Sequence, residues 1–466
     1  MNHKRLRWLG VVAVLGLLLA ACSSSRSEDT SAPSTSADAG ESGATSGFGD
    51  LATPCGPAAG TNVATGDQGI TADSITIGYG DDAGFTGSPG LNKQMSDAVS
   101  AMIDWCNQQG GINGREVVGN YYDAKITEAN NVMTEACAQV FMLVGQGWAL
   151  DGTAEQTRVS CQLPQVPGYN VSSTVAHGPL SYQPVPNPVD VTPVGQAYLL
   201  AEKYPQQVKK AAVVFGDFAA TRESTEKALA TYPAAGWQFI SDCEQTYPIA
   251  GAVQWAPYVQ KLKDCGAEFV YFSGSPIPNF QNFLDAAAQA DYKPLWLTDS
   301  NFYDETFVSS NTAGNADNVY MRLAFVPFEQ ASKNKATQQY LDLIEKSGGS
   351  PALLGAQATS AFLLWATAAK ECGTDLTRQC VLDNVSKVTK WTGGGLHAES
   401  NPGQNLPPDC VMVLQMQGLS YVQTLPQPAG EFSCDPKYVA TVAPSTPSVA
   451  SAKLDTDRIS TAYTGG

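Results

Sequence analysis

Short apolar segments with strand character alternate with helical segments over most of this chain. A first run begins with "ITIGYG" (75–80), and a second begins with "AAVVFGD" (211–217). Apolar strands that alternate with helices form parallel sheets covered by helices on both faces. The proline-rich segment "SYQPVPNPVDVTPVG" (181–195) separates the two runs. The pattern therefore predicts an α/β fold of two Rossmann-like lobes with mostly parallel sheets.

The residues after the second run predict more elements of these lobes rather than a third domain. They comprise a strand at 319–325, helices at 333–347, 355–371 and 378–390, and a hairpin at 410–425. Residues 440–466 follow as a tail that is rich in serine, threonine and proline and has little core-forming pattern. A length of 466 residues is comfortable for two domains.

The charge of the chain argues against a nucleic-acid partner. The whole sequence has 27 basic and 44 acidic residues. Loss of the three basic residues before Cys22 would leave 24 basic residues and a net charge of −20. A surface this negative repels phosphate backbones and anionic lipids. We therefore expect no nucleic-acid binding.

The N-terminus has the order of a signal peptide. A basic stretch, "MNHKRLRWLG", precedes the short apolar stretch "VVAVLGLLLAA", which predicts a signal peptide over 1–21. It ends in Leu19-Ala20-Ala21-Cys22, which resembles the lipobox of bacterial lipoproteins, where the cysteine is lipidated. An ordinary signal peptide followed by a chance cysteine is the alternative. We expect an exported chain whose membrane contact is a lipid anchor at Cys22, on the outer face of the cytoplasmic membrane.

The segment after the signal peptide predicts a linker. Residues 22–65 begin with the lipidated cysteine and continue with "SSSRSEDTSAPSTSADAGESGATSG". Such a composition buries little apolar surface and is typical of a flexible tether. We therefore predict a flexible linker up to residue 65.

Ten cysteines remain after Cys22, and an even number behind an export signal predicts five disulfides. The sequence contains no C-x2-C motif, and His177 and His397 are the only histidines after Cys22, so we expect no metal site. Proximity in the sequence favours the pairs Cys243–Cys265, Cys372–Cys380 and Cys410–Cys434. For the other four, whose connectivity the sequence leaves open, we predict Cys55–Cys106 and Cys137–Cys161.

The stretch "NQQGGINGREV" (107–117) predicts a tight connection between a helix and a strand. An amphipathic helix at 91–108 precedes Gly110, where a helix can end in the left-handed conformation. Asn113 and Gly114 both tolerate a positive φ and favour a turn. We interpret Arg115 as a structural residue of that turn rather than as a ligand contact.

Three of these stretches together resemble a known family. "ITIGYGDDAGFTG" resembles the opening strand and pocket loop of the leucine/isoleucine/valine-binding family of type I periplasmic solute-binding proteins, and "MIDWCNQQGGINGREV" resembles its helix–turn–strand motif. The stretch beginning "YPQQVKKAAVVFGDFAATRESTEKALA" resembles the start of its second lobe. The resemblance extends over roughly residues 72–425. It implies a solute receptor of an ABC importer, with permease subunits as its protein partners.

The resemblance also implies how the lobes are assembled. The chain of such proteins crosses between the lobes three times, and the solute binds in the cleft between them. The first lobe would comprise 72–192 and 326–405, and the second 193–325 and 406–430. Open α/β sheets independently favour ligand binding beyond the carboxyl ends of their strands.

The candidate ligand-binding residues follow those strand ends. They are Asp82, Phe85, Trp148, Ala149, Leu150, Tyr169, Asn170, Asp217, Phe218, Ser275, Asp299, Asn301 and Tyr303. Members of the family that bind amino acids place a serine after the third strand, where this chain has Trp148-Ala149-Leu150. The candidates contain no lysine or arginine, so we expect a small amino-acid-like, apolar or aromatic solute rather than a strongly anionic one. Asp82, Asp217 or Asp299 would then accept an amine or a hydroxyl of the solute.

Two alternative functions are a ligand-binding protein other than a transport receptor and an enzyme. A ligand sensor or a cell-envelope interaction protein would use the same cleft. A secreted α/β enzyme would need catalytic motifs, and the sequence contains neither G-x-S-x-G nor H-E-x-x-H. The loop "GYGDDAG" (78–84) departs from the spacing of a dinucleotide-binding loop. We therefore expect no enzymatic activity and no cofactor.

Overall fold

The computed structural model describes residues 46–452. The predicted signal peptide (1–21), the predicted lipidation site Cys22 and the rest of the chain up to residue 45 lie outside the described residues. Residues 453–466, which belong to the predicted tail, lie outside them as well.

The first lobe is built on a four-stranded parallel sheet. Its strands are β1 (Ser74–Asp81), β2 (Glu116–Asp123), β3 (Met142–Val144) and β4 (Gln165–Val166), in the order β2-β1-β3-β4. The helices in this part of the chain are α1 (Lys93–Asn107), α2 (Ala129–Gln139), α3 (Glu155–Ser160) and α4 (Ser173–Ala176). Buried apolar residues lie along one face of α1, so this helix packs against the sheet as the sequence predicted.

The second lobe is built on a larger mixed sheet, entered after a short strand, β5 (Val191–Pro193). Its strands are β6 (Ala211–Gly216), β7 (Gln245–Tyr247), β8 (Phe269–Ser273), β9 (Leu295–Thr298), β10 (Val319–Leu323), β11 (Cys410–Gln417), β12 (Ser420–Leu425) and β13 (Ser433–Cys434). The order β12-β11-β10-β9-β8-β6-β7 is parallel from β10 to β7, whereas β11 pairs antiparallel with β10, β12 and β13.

Nine α-helices lie in the rest of the described chain. They are α5 (Gly195–Lys203), α6 (Ala219–Thr231), α7 (Ala256–Asp264), α8 (Gln281–Gln289), α9 (Glu305–Ser310), α10 (Lys335–Ser347), α11 (Leu353–Glu371) and α12 (Arg378–Val385), followed by α13 (Pro447–Ala452) at the C-terminal end. None of the helices within residues 46–452 is long and apolar enough to cross a membrane.

The chain passes from one lobe to the other three times. It leaves the first sheet after β4 and builds β6 to β10 of the second. It then returns, because α10 and α11 pack against α1 and α12 packs against α11. Finally β11 and β12 rejoin the second sheet. The predicted α/β class with two mostly parallel lobes is confirmed.

The glycine-rich turn after α1 has the predicted structural role. Gly110 has a φ of 101° and Asn113 a φ of 50°, so both occupy the left-handed region. Arg115 is fully buried. Its Nε donates to the Thr71 carbonyl at 3.1 Å, and its Nη2 donates to the carbonyls of Val63 at 3.0 Å and Thr374 at 2.6 Å. The guanidinium therefore ties three separate chain segments together.

The structure contains the five disulfides that the sequence predicted. The cysteine pairs are Cys55–Cys106, Cys137–Cys161, Cys243–Cys265, Cys372–Cys380 and Cys410–Cys434. The first of them fastens the N-terminal part of the described chain to the end of α1.

The prediction of a flexible linker over 22–65 is wrong for residues 46–65. Phe48 is fully buried and its ring lies edge-on to Trp105, with the ring centroids 5.9 Å apart. The backbone N–H of Asp50 donates to the Gly394 carbonyl at 2.8 Å. The buried ring, the disulfide and backbone hydrogen bonds hold this polar segment in place, which the composition alone did not reveal. We call residues 46–65 the N-terminal strap.

The prediction of a tail without core packing is wrong for residues 440–452. A last strand, β14 (Val439–Thr441), pairs antiparallel with β5. Val442 and Val449 are buried against Val189. The segment 439–452, which we call the C-terminal segment, contacts both α4 of the first lobe and α6 of the second. Its two separated valines have no periodicity that would mark a core element.

Candidate functional site

A cavity of about 310 Å³ lies between the lobes, beyond the carboxyl ends of the parallel strands. The first lobe contributes the loop after β1, the segment after β4 and the first turn of α11. The second lobe contributes α6 and the ends of β8, β9 and β10. Both lobes therefore contribute walls to the same cavity.

Several predicted site residues line this cavity. They are Phe85, Ala149, Tyr169, Asn170, Phe218, Ser275, Asp299 and Asn301. Tyr169 is held in place because its hydroxyl accepts a hydrogen bond from the Asn92 side chain at 2.7 Å. Together with Leu353 and Leu354 at the start of α11, the aromatic residues of this set form the apolar part of the walls.

Asp82 and Trp148 lie behind the cavity wall rather than in it. The Asp82 carboxylate is fully buried and accepts the backbone N–H groups of Ile126 and Ala149, each at 2.7 Å. Burial raises the pKa of Asp82 to about 6. Trp148 is buried in a small core, where its indole N–H donates to the Tyr122 carbonyl at 3.4 Å. The two side chains therefore position the wall without facing the cavity.

Three further candidates also lie outside the cavity lining. The Leu150 carbonyl accepts hydrogen bonds from the backbone and the hydroxyl of Thr153, which closes a turn. Asp217 is exposed and forms an ion pair with Arg222. Tyr303 is buried, and its hydroxyl donates to the Glu329 carboxylate at 2.6 Å. The side chains of Asp217 and Tyr303 are therefore already paired with other protein side chains.

Asp299 is the acidic residue on the floor of the cavity. Its carboxylate accepts hydrogen bonds from the hydroxyls of Ser224 at 3.1 Å, Tyr271 at 2.5 Å and Ser273 at 2.6 Å. The sequence reasoning missed these three donors. Tyr271 and Ser273 alternate along β8 and so share one face of the strand, which is the signal that could have indicated them.

Two basic residues also line the cavity, Lys227 of α6 and Arg322 of β10. The expectation that its walls contain no lysine or arginine is therefore wrong. Lys227 is buried, and its Nζ donates to the side chain of Asn187 at 2.9 Å and the carbonyl of Pro188 at 3.1 Å. Burial lowers the pKa of Lys227 to about 8, opposed by the nearby Glu223. Arg322 is the only charged residue in the apolar strand β10, and this feature of the sequence could have indicated a functional role.

The lobes also contact each other directly across the cleft. Glu223 of α6 accepts the backbone N–H of Ser173 at 3.0 Å and its hydroxyl at 3.2 Å. The Ser88 hydroxyl donates to the Ile277 carbonyl at 3.2 Å. Both contacts join a first-lobe residue to a second-lobe residue, so the structure represents a closed arrangement of the lobes.

Two α/β lobes that close over a cavity define the class of solute-binding proteins that enclose a ligand between domains. The sequence model of the periplasmic binding protein family matches residues 74–419. The chain belongs to this family, whose members are binding proteins and not enzymes. No protein with a curated description matches the chain by sequence.

Solved structures of similar fold have low sequence identity to the chain. A fatty acid ABC transporter substrate-binding protein from Thermomonospora curvata is 13% identical, with a TM-score of 0.61, and the match covers 80% of this chain and 95% of that one. A solute-binding protein from R. palustris in complex with 4-hydroxybenzoate is 15% identical, with a TM-score of 0.63 and coverages of 78% and 98%. A branched-chain amino acid transporter substrate-binding protein from Streptococcus pneumoniae, in complex with isoleucine, is 17% identical, with a TM-score of 0.56 and coverages of 75% and 100%.

Proposed function

We propose that this chain is a lipid-anchored, extracytoplasmic binding protein that captures a small solute for an ABC importer. The observation that carries the proposal is the cavity that both lobes line. Its volume of about 310 Å³ lies at the lower end of the range for small-molecule sites, about 300–1,000 Å³. A solute of amino-acid or aromatic-acid size would fill it.

The lining supports a solute with an apolar or aromatic body. Phe85 and Phe218 contribute rings from opposite lobes, and Leu353 and Leu354 add aliphatic surface. One cluster of polar groups surrounds Asp299 on the floor. Structurally similar proteins are described as binding a fatty acid, 4-hydroxybenzoate or isoleucine. A largely apolar wall with a few polar groups that fix orientation is the usual composition of a small-molecule site.

Solute binding is expected to stabilise the purified protein. A solute present at one hundred times its Kd should raise the free energy of unfolding by about 2.7 kcal/mol. A thermal-shift screen of amino acids, aromatic acids, fatty acids and amides measures this effect. The Phe218→Ala variant should bind the best solute more weakly because it loses a cavity wall, whereas Leu419→Ala, at an exposed hairpin tip, should bind normally.

Two results would contradict the proposed function. If no compound class stabilises the protein, the cavity is not a solute site. Deletion of the gene should also abolish uptake of the identified solute by the cells, and unchanged uptake would contradict the role in import.

The lipid anchor is expected at Cys22. The motif Leu19-Ala20-Ala21-Cys22 after an apolar stretch supports cleavage before the cysteine and its acylation. Mass spectrometry of membrane-derived protein should find a diacylglyceryl-modified peptide that begins at Cys22. The Cys22→Ser variant should be released from the membrane fraction. An unmodified chain that begins elsewhere would contradict the anchor.

A further inference from the structure

Arg322 is the one charged cavity residue whose side chain has no partner within the described part of the chain. It lies on β10 and is half-buried, because one side of it faces the cavity. Its Nη1 atom is fully enclosed and has no hydrogen-bond partner. Among residues 46–452, no carboxylate oxygen lies within ion-pair distance of the guanidinium.

A guanidinium that is partly enclosed and has no hydrogen-bond partner is unfavourable for the fold alone. Burial disfavours its charged form and lowers its pKa, yet an arginine stays protonated at neutral pH. A buried charge is normally paired, because desolvation without a partner costs free energy. The presence of an unpaired Arg322 in the empty protein is explained if a bound solute supplies its hydrogen-bond partner.

The neighbouring Asp299 is not the missing partner of Arg322. Its two oxygens already accept hydrogen bonds from the hydroxyls of Ser224, Tyr271 and Ser273. Its charge attracts Arg322 through space, but the two groups form no ion pair at 4.0 Å or less. The three hydroxyls satisfy Asp299 within the protein, so no ammonium group of a solute is needed there.

The balance of charge on the floor points the same way. Lys227 is offset by Glu223, which lies close enough to raise its pKa against the effect of burial. Lys227 also donates to the Asn187 side chain and the Pro188 carbonyl. Arg322 has no such hydrogen bonds. It is therefore the cation that remains available to a bound molecule.

We propose that the solute carries a carboxylate, and that this carboxylate binds the guanidinium of Arg322 while an apolar body occupies the remaining cavity. The planar guanidinium matches a carboxylate in a fork of two parallel hydrogen bonds. The rings and aliphatic side chains of the walls then surround the rest of the molecule. This inference rests on the proposed function, and it places the charged contact on Arg322 rather than on Asp82, Asp217 or Asp299, which the sequence favoured.

The test compares matched acids and amides on purified mature protein. The probes are straight-chain, branched, amino-substituted and aromatic monocarboxylates, such as hexanoate, leucine and benzoate, each with its primary amide. We expect a subset of the carboxylates to raise the Tm and their amides to fail. For the best acid, Arg322→Gln should weaken binding by roughly 10- to 100-fold, the range for hydrogen bonds to a charged group. The matched control Arg222→Gln, which removes an exposed arginine, should bind normally.

The unliganded variants separate a binding role from a structural one. Without solute, Arg322→Gln should have a Tm equal to or above that of the wild type, because it removes an unpaired buried charge. Arg322→Lys should keep the preference for acids over amides with weaker binding. A large loss of Tm in Arg322→Gln, amides that bind as well as acids, or an unchanged affinity of Arg322→Gln would each overturn the proposal and leave the solute-binding function standing. If no probe of any class binds, the proposed function itself fails.

Discussion

The Arg115→Ala variant is expected to lower the free energy of unfolding by about 3–5 kcal/mol. Arg115 is fully buried and donates hydrogen bonds to the carbonyls of Thr71, Val63 and Thr374. Alanine would leave these partly buried carbonyls without their donors and open a cavity where three chain segments meet. Urea denaturation followed by tryptophan fluorescence measures the loss.

Arg222→Ala is the matched control for this measurement. Arg222 is half exposed and pairs with Asp217 at the surface, so its loss should cost at most about 1 kcal/mol. Arg115 does not line the cavity, so Arg115→Ala should bind solute with normal affinity at temperatures where it is folded. A loss below 1 kcal/mol, or weaker solute binding by the folded variant, would contradict a structural role for Arg115.

Removal of the Cys55–Cys106 disulfide is expected to destabilise the protein by about 2–4 kcal/mol. The bridge joins residues 51 apart in sequence and fastens the N-terminal strap to α1. Its loss in the Cys55→Ser/Cys106→Ser double variant gives the unfolded chain more freedom and loosens the packing of Phe48. The strap should then be cut by proteases at concentrations that leave the wild type intact.

The Cys372–Cys380 bridge provides a control of similar chemistry. It joins residues only 8 apart, so the chain-entropy model predicts that its removal costs about 1–2 kcal/mol less. Limited proteolysis with N-terminal sequencing of the fragments shows where each double variant is cut. Equal stability and equal protease resistance of the Cys55→Ser/Cys106→Ser variant and the wild type would mean that the strap does not depend on the bridge.

The fold was predictable because burial leaves a pattern in the order of residues. Strands such as β6 and β8, which are buried on both faces, are continuous apolar runs in the sequence. The turn at 110–115 is indicated by its glycines and asparagine. The strap and the C-terminal segment were missed because each is held by a few separated residues. Phe48 and Val442 are buried without any periodic neighbours.

The site was harder to predict because neighbouring residues of one loop take opposite directions. Ala149 lines the cavity, whereas Trp148, the residue before it, packs into a core beneath. A larger aromatic residue is the more obvious ligand contact in a sequence, yet its indole N–H is satisfied by a backbone carbonyl. Arg322 was missed because it lies within a strand, while the prediction considered only the loops that follow strands.

The C-terminal segment has a consequence for the rate at which solute is exchanged. Residues 439–452 pair with β5 and contact helices of both lobes. The backbone N–H of Ser448 also donates to the Glu226 carboxylate at 2.7 Å. Any widening of the cleft at this end strains or breaks these contacts first, which adds to the barrier for opening. We therefore expect this short segment, which lies outside the cavity, to lengthen the dwell time of a bound molecule. A permease that bound this segment would change the rate of solute release without contacting the solute.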